Sequence, residues 1–112
     1  YYIPALVAKP MLEQVGFNIE LVPVDSVTLV SLRGDPNRMD VFSCEYAPRE
    51  PTLIAAFQDS HPGWWTTETK NNLLEQMRLT SDFQERYALF EQLQELMYTE
   101  LPMMKFANRA HL

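Results

Sequence analysis

The stretch from Phe17 to Cys44 constrains this chain most, because its hydrophobic period changes twice within it. Phe17, Ile19 and Leu21 alternate with Asn18 and Glu20, the period of two that places one face of a strand on a core. Pro23 closes that run, since it has no N–H for a ladder. Asp25 or Ser26 then supplies an N-cap for a helix from Val27 to about Arg33, with Leu29 and Leu32 one turn apart. Gly34-Asp35-Pro36-Asn37 is a dense turn signal, and it accounts for the Arg33-Gly34-Asp35 tripeptide without any adhesive role. Met39 to Cys44 follows as a largely apolar run, short enough for a buried strand. Strand, helix and strand joined by short connections make a βαβ unit with a right-handed crossover. The expected fold class is therefore α/β, with helices packed on a small, mostly parallel sheet.

The flanking sequence reads mainly as helix. Ile3, Leu6, Val7, Met11 and Val15 recur at mostly three- and four-residue steps, so a helix is expected over Tyr1 to Val15. Pro10 should kink it or restart it, because proline removes an N–H and crowds the carbonyl of Leu6. Gly16 stands where a helix C-cap belongs. Beyond Ala47-Pro48-Arg49-Glu50-Pro51, a short apolar helix is expected over Thr52 to Phe57, then a loop through His61-Pro62-Gly63. Thr66 or Thr67 opens a helix reaching Leu79, with Leu73, Leu74 and Met77 inward. Ser81 or Asp82 caps the longest helix, which runs to Tyr98 or Thr99 with Phe83, Tyr87, Phe90, Leu93 and Met97 as its apolar ladder. Ser81 with Gln84 and Asp82 with Glu85 are the two possible capping boxes. Pro102 ends the helix, and Met103 to Ala107 suits one last strand.

Composition narrows the chemistry. The 112 residues carry 9 Lys+Arg against 15 Asp+Glu, a net charge of -6, the wrong sign for a phosphate-binding surface, so no nucleic-acid partner is expected for this domain. With one cysteine, neither an internal disulfide nor a cysteine-built zinc site is available. The two histidines, His61 and His111, lie far apart with no acidic ligand pattern, so no metal and no cofactor is expected. Cys44 falls in an apolar strand and reads as a small buried hydrophobe, and His61 as a solvent-facing turn residue. No nucleophile and base are paired by the pattern, and the chain reads as a non-enzyme. No apolar run is long enough to cross a bilayer. Tyr1 is neither an initiator Met nor the start of a signal peptide, so one α/β domain over residues 1–112 is expected as a portion of a longer chain.

In an open parallel sheet, ligands lie beyond the carboxyl ends of the strands. The second such end carries Glu45 and Tyr46, with Arg49 close behind. Trp64 and Trp65, two adjacent indoles before a helix, are the other candidates, because adjacent residues face one core together only if the chain turns, and indoles are enriched at binding surfaces. The candidate site is therefore Glu45, Tyr46, Arg49, Trp64 and Trp65.

Four stretches carry a resemblance. Met11-Leu12-Glu13-Gln14-Val15-Gly16-Phe17-Asn18-Ile19-Glu20-Leu21 is similar to a helix, "iGi", strand passage. Gly34-Asp35-Pro36-Asn37-Arg38-Met39-Asp40-Val41 is similar to a "G-x-yD" strand entry, and Glu50-Pro51-Thr52 to a D-P or E-P-T turn. Asp82-Phe83-Gln84-Glu85-Arg86, then Leu93-Gln94 and Glu100-Leu101-Pro102, looks like a "D-x-x-x-R … Q … LP" helix and exit. Together they resemble the solute-binding proteins of ABC importers in the oligopeptide, dipeptide and nickel class, over part of the second lobe of the two-lobed periplasmic-binding-protein fold. The resemblance implies binding of a peptide or similar small solute between two lobes, delivery to permease subunits in the membrane, and a periplasmic or extracellular, membrane-associated location. The other lobe of the same chain would complete the site. It also implies that Glu45 is by position the nearest counterpart of the acid that holds a peptide's amino terminus, with Glu where Asp is familiar. Gly63-Trp64 is similar to the G-Y or G-W that lies near the cleft. The ligand-sensing lobe of a transcription regulator is the alternative with the same fold.

Overall fold

The computed structural model describes residues 2–47 and 49–106. The chain divides into two compact units, Tyr1–Glu45 and Tyr46–Leu112. Four α-helices carry it: α1 (Tyr2–Gln14) and α2 (Ser26–Arg33) in the first unit, α3 (Glu68–Leu79) and α4 (Phe83–Glu100) in the second. Two 3-10 turns, Pro51–Leu53 and Ala55–Phe57, precede α3.

No strand is present among the described residues, so the α/β expectation, with its βαβ unit and parallel sheet, is wrong. Phe17 to Leu21, Met39 to Cys44 and Met103 to Phe106 all run without regular structure; Ala107 lies outside the described residues. Each strand run was read from its own alternation or apolarity, but a strand exists only by pairing. Two short runs around one helix offer a single pair, which is marginal in water, and parallel pairs need both faces covered. Phe17, Val22 and Val41 are accordingly exposed. The Ile19 carbonyl is taken by the Lys9 ammonium instead of a neighbouring strand.

In the first unit the helix-end signals act as the sequence reads. α1 ends in a Schellman arrangement: Phe17 N–H donates to Leu12 O at 3.2 Å and Gly16 N–H to Glu13 O at 3.1 Å. Gly16 has φ +98°, the left-handed geometry that favours a residue without Cβ. The helix is a single one that does not restart at Pro10. α2 opens on Asp25, whose Oδ1 accepts from Val27 N–H at 2.9 Å and Thr28 N–H at 3.0 Å, and whose Oδ2 accepts from the Thr28 hydroxyl at 2.7 Å. These bonds, the Thr28 hydroxyl foremost, hold the Asp25 carboxyl below its ordinary pKa. Arg33 lies over the Phe42 ring, 5.8 Å from its centroid. Of the described residues in this unit only Ala8 is buried.

The second unit has the core. Phe57, Trp65, Leu73, Leu74, Met77 and Leu93 form it, with Ile54, Leu89, Phe90, Leu96, Met97 and Met103 packed around. α3 and α4 make the main contact, a helical hairpin closed by the 3-10 turns. Leu73, Leu74 and Met77 face inward as their spacing predicts. The ladder on α4 holds only in part, since Leu93 is buried while Phe83 and Tyr87 are exposed. Asp82 is the cap of α4, accepting from Glu85 N–H at 2.9 Å. The return half of the capping box is rerouted: the Thr80 hydroxyl donates to Glu85 and accepts from Asp82 N–H.

Candidate functional site

Three charged or polar links tie the segment before α3 to the helical hairpin. Lys70 on α3 is fully buried; its ammonium donates to Phe57 O at 2.9 Å and to the Asp59 carboxylate, and lies 5.8 Å from the Trp65 ring centroid. Asp59 also accepts from the Asn71 amide at 2.8 Å. The Lys70 bond, then Asn71, keeps the Asp59 carboxyl below its ordinary pKa. The Arg86 guanidinium of α4 donates to the Glu50 carboxylate, to Met77 O and to Thr80 O. Glu50 in turn caps the first 3-10 turn through Thr52 N–H at 3.0 Å. The Trp65 indole N–H donates to Glu100 at the end of α4, which also accepts from the Thr67 hydroxyl at 3.3 Å. These links support the segments around Glu50, Phe57–Asp59 and Trp65–Thr67 on the helical hairpin.

On that support the structure brings two of the five sequence candidates into one hollow. Tyr46 and Arg49 line a cavity of about 250 Å³ whose floor is Leu53, Ile54 and Ala55. The Tyr46 hydroxyl and His61 Nε2 are hydrogen-bonded at 2.8 Å, with the rings edge-on at 5.6 Å. His61 is thus half-buried against the phenol, not the free turn residue the Pro-Gly context implies. Arg49 is exposed and in no ion pair among the described residues. A guanidinium beside a phenol above an apolar floor suits a carboxylate or carbonyl oxygen carried on a small apolar body.

The other three candidates separate. Trp64 and Trp65 take opposite roles, because Gly63 (φ +104°) and Trp64 (φ +43°) turn the chain between them. Trp64 N–H donates to His61 O at 2.8 Å, closing that turn. Trp64 is left 42 % exposed, whereas Trp65 is in the core and edge-on to Phe57. Trp65 is therefore a packing residue. Glu45 closes the first unit and does not line the hollow. Cys44 is half-buried and outside any strand, correcting its reading as a buried strand residue. His111 lies outside the described residues.

A second, more polar concavity of about 560 Å³ opens between Asp59, Ser60, Asn72 and Glu75 beside α3. The sequence reading did not single out Lys70, which pairs with Asp59, one of the residues lining that concavity. Its signal was available: Lys70 stands three residues before Leu73 and seven before Met77, on the apolar face of α3. A lysine in that register enters the core only with partners, and Asp59 and Phe57 O are those partners. The Glu50–Arg86 contact carried no pairing signal, since its members lie far apart in sequence.

Among the described residues, no cluster of three or more His, Cys, Asp or Glu side chains is placed to hold a metal ion, and no helix is long and apolar enough to cross a membrane. No protein-family model matches the chain, and neither a curated protein nor a solved structure matches it.

Proposed function

We propose that this chain is part of the substrate-binding component of an ABC importer, taking up peptides or similar small solutes outside the cytoplasm and delivering them to the membrane permease. The observation that carries this reading is the Glu50–Arg86 ion pair. It joins two of the stretches on which the resemblance rests, Glu50-Pro51-Thr52 and Asp82-Phe83-Gln84-Glu85-Arg86, into one device. Matching strings that meet in space support a shared design better than strings that match only in order. The support comes from these local motifs and not from sheet topology.

In this reading the Tyr46–Arg49 hollow takes one end of the solute. Arg49 and Tyr46 donate to a carboxylate or peptide carbonyl, and Leu53 and Ile54 take an apolar side chain. Exposed Trp64, whose N–H is bonded to the carbonyl of His61, the residue whose ring meets Tyr46, offers a wall. Glu45 serves as a separate acid for a cationic group. Titration calorimetry of the full-length protein with di- and tripeptides tests the proposal. A charge-assisted hydrogen bond contributes about 1.5–3 kcal/mol, so Arg49→Gln should weaken binding by roughly ten- to a hundredfold. Unchanged affinity in that variant removes Arg49 from the site. Absence of binding by the wild-type protein to any peptide offered overturns the peptide reading.

A further inference from the structure

The polar concavity beside α3 has no role in the peptide reading, and it shares no lining residue with the Tyr46–Arg49 hollow. Asn71, Glu75 and Arg78 recur at steps of four and three on the exposed face of α3, with Asn72 beside them. Asp59 and Ser60 come from the preceding loop, and Phe57 and Leu74, both buried in the core, line the cavity where it meets the interior. Its volume of about 560 Å³ is that of a small-molecule site. Asp59 is fixed through both oxygens: one accepts from the Lys70 ammonium, the other from the Asn71 amide at 2.8 Å. A lysine with no exposed surface enters a core only beside partners, and here it braces a carboxylate whose outer side is half exposed.

Charge in this cavity cancels locally. Lys70 answers Asp59, and Arg78 answers Glu75 at 3.3 Å; no other charged residue lines it. An ionic ligand would lose hydration without meeting a net opposite charge. Hydrogen-bonding capacity does not cancel. Ser60 and Asn72 are exposed, with side chains in no hydrogen bond among the described residues, and Asn71 has a second amide N–H. Asp59 and Glu75 only accept, Arg78 only donates, and Ser60 and Asn72 do both. Donors and acceptors interleaved around an apolar patch match a ring of hydroxyls, each both donor and acceptor, on a body with an apolar C–H face. We propose that this concavity binds a neutral polyhydroxylated ligand of pyranose size. Asp59, Asn72 and Glu75 accept from its hydroxyls, Arg78 donates to one of its oxygens, and the edges of Phe57 and Leu74 lie under its C–H face.

The test is saturation-transfer NMR titration of the full chain with pyranoses of one size and different charge. Glucose and galactose are the neutral probes, glucosamine at slightly acid pH the cation, and glucuronate the anion. A neutral probe should bind more tightly than either ion. Asn72→Ala should weaken it roughly two- to tenfold, the effect of one neutral hydrogen bond, and should leave the unfolding midpoint unchanged because Asn72 is exposed. Arg78→Gln leaves a carboxylate unbalanced and should move the preference toward glucosamine by roughly two- to fivefold, and Glu75→Gln should move it toward glucuronate by a similar factor. Both shifts should shrink as salt is raised. A wild-type preference for either charged probe overturns the proposal. So does the absence of binding by both neutral probes at tens of millimolar, or neutral-probe binding that Asn72→Ala leaves unchanged. Charge variants that keep the wild-type preference overturn it as well, because they would place the sugar elsewhere on the chain.

Discussion

Replacing Arg86 with Ala is the most direct test of how the second unit is held together. The guanidinium satisfies three acceptors at once: Met77 O, Thr80 O at 3.2 Å and the Glu50 carboxylate. Met77 is among the last four residues of α3, whose carbonyls have no partner within the helix. A hydrogen bond to a charged group contributes about 1.5–3 kcal/mol, and two such bonds taken at face value would give 3–6. Arg86 is 28 % exposed, so water reaches the site and replaces part of what is lost. Glu50 is 34 % exposed, which confines the ion pair to about 0.2–1 kcal/mol. The expected loss is therefore about 2–3 kcal/mol. At roughly 4–8 °C per kcal/mol for a domain of this size, that lowers Tm by about 10–20 °C. Urea unfolding followed by Trp65 fluorescence in a Trp64→Phe background reads the loss, since Trp65 is in the core. A loss below about 0.5 kcal/mol, the range of ordinary surface substitutions, would refute the reasoning. A double-mutant cycle with Glu50→Gln separates the terms. A coupling that accounts for most of the loss would mean the ion pair, and not the end of α3, dominates.

The remaining tests address the buried polar groups and the tryptophan turn. Lys70→Ala should cost about 3 kcal/mol by leaving a cavity and an unpaired Phe57 carbonyl, while Lys70→Met should cost less because it keeps the volume; equal losses in urea unfolding would contradict this. Because Lys70 and Asn71 lower the Asp59 carboxyl's pKa in the folded state, its stabilising effect is complete above the ordinary aspartate value and lost as pH falls through the depressed one. The stability difference between wild type and Asp59→Asn should accordingly be flat at neutral pH and shrink only under acid, and a difference that grows on acidification would reverse the sign. Trp64→Gly should leave stability equal or higher, since a residue at φ +43° is strained unless it is Gly, whereas Trp65→Ala should cost about 3–5 kcal/mol. Thermal denaturation distinguishes the two, and a large loss for Trp64→Gly would show that its ring packs. Removing the cap with Asp25→Ala should speed hydrogen exchange of the Val27 and Thr28 amides, which donate to that side chain; unchanged rates would show that the cap does not hold the first turn of α2.

The elements whose signals are local were legible in advance. Gly16 ends α1 through backbone bonds back to Glu13 and Leu12, and Asp25 and Asp82 open α2 and α4 through side-chain bonds to amides two or three residues on, all within a few residues of the cap. Leu73, Leu74 and Met77 face inward because a helix repeats every 3.6 residues whatever lies beside it. Of the five candidate site residues, two come together. Tyr46 and Arg49 share a hollow, but Trp65 turned inward at Gly63 and Trp64, and Glu45 fell to the other unit. Nothing in the order of residues announced that Arg86 would reach Glu50 or that Tyr46 would meet His61.

The sequence by itself determined the four helices, the caps at Gly16, Asp25 and Asp82, and the acidic balance of the chain, since each follows from composition or from interactions within a few residues. Tertiary structure alone decided whether Phe17 to Leu21 and Met39 to Cys44 are strands. Strand hydrogen bonds are made to another segment, and without such a partner an alternating pattern has nothing to pair with. It also decided which face of α4 is buried. A helix with aromatic and aliphatic residues on adjacent faces can satisfy only one of them against α3, and Phe83, Tyr87 and Tyr98 stay exposed.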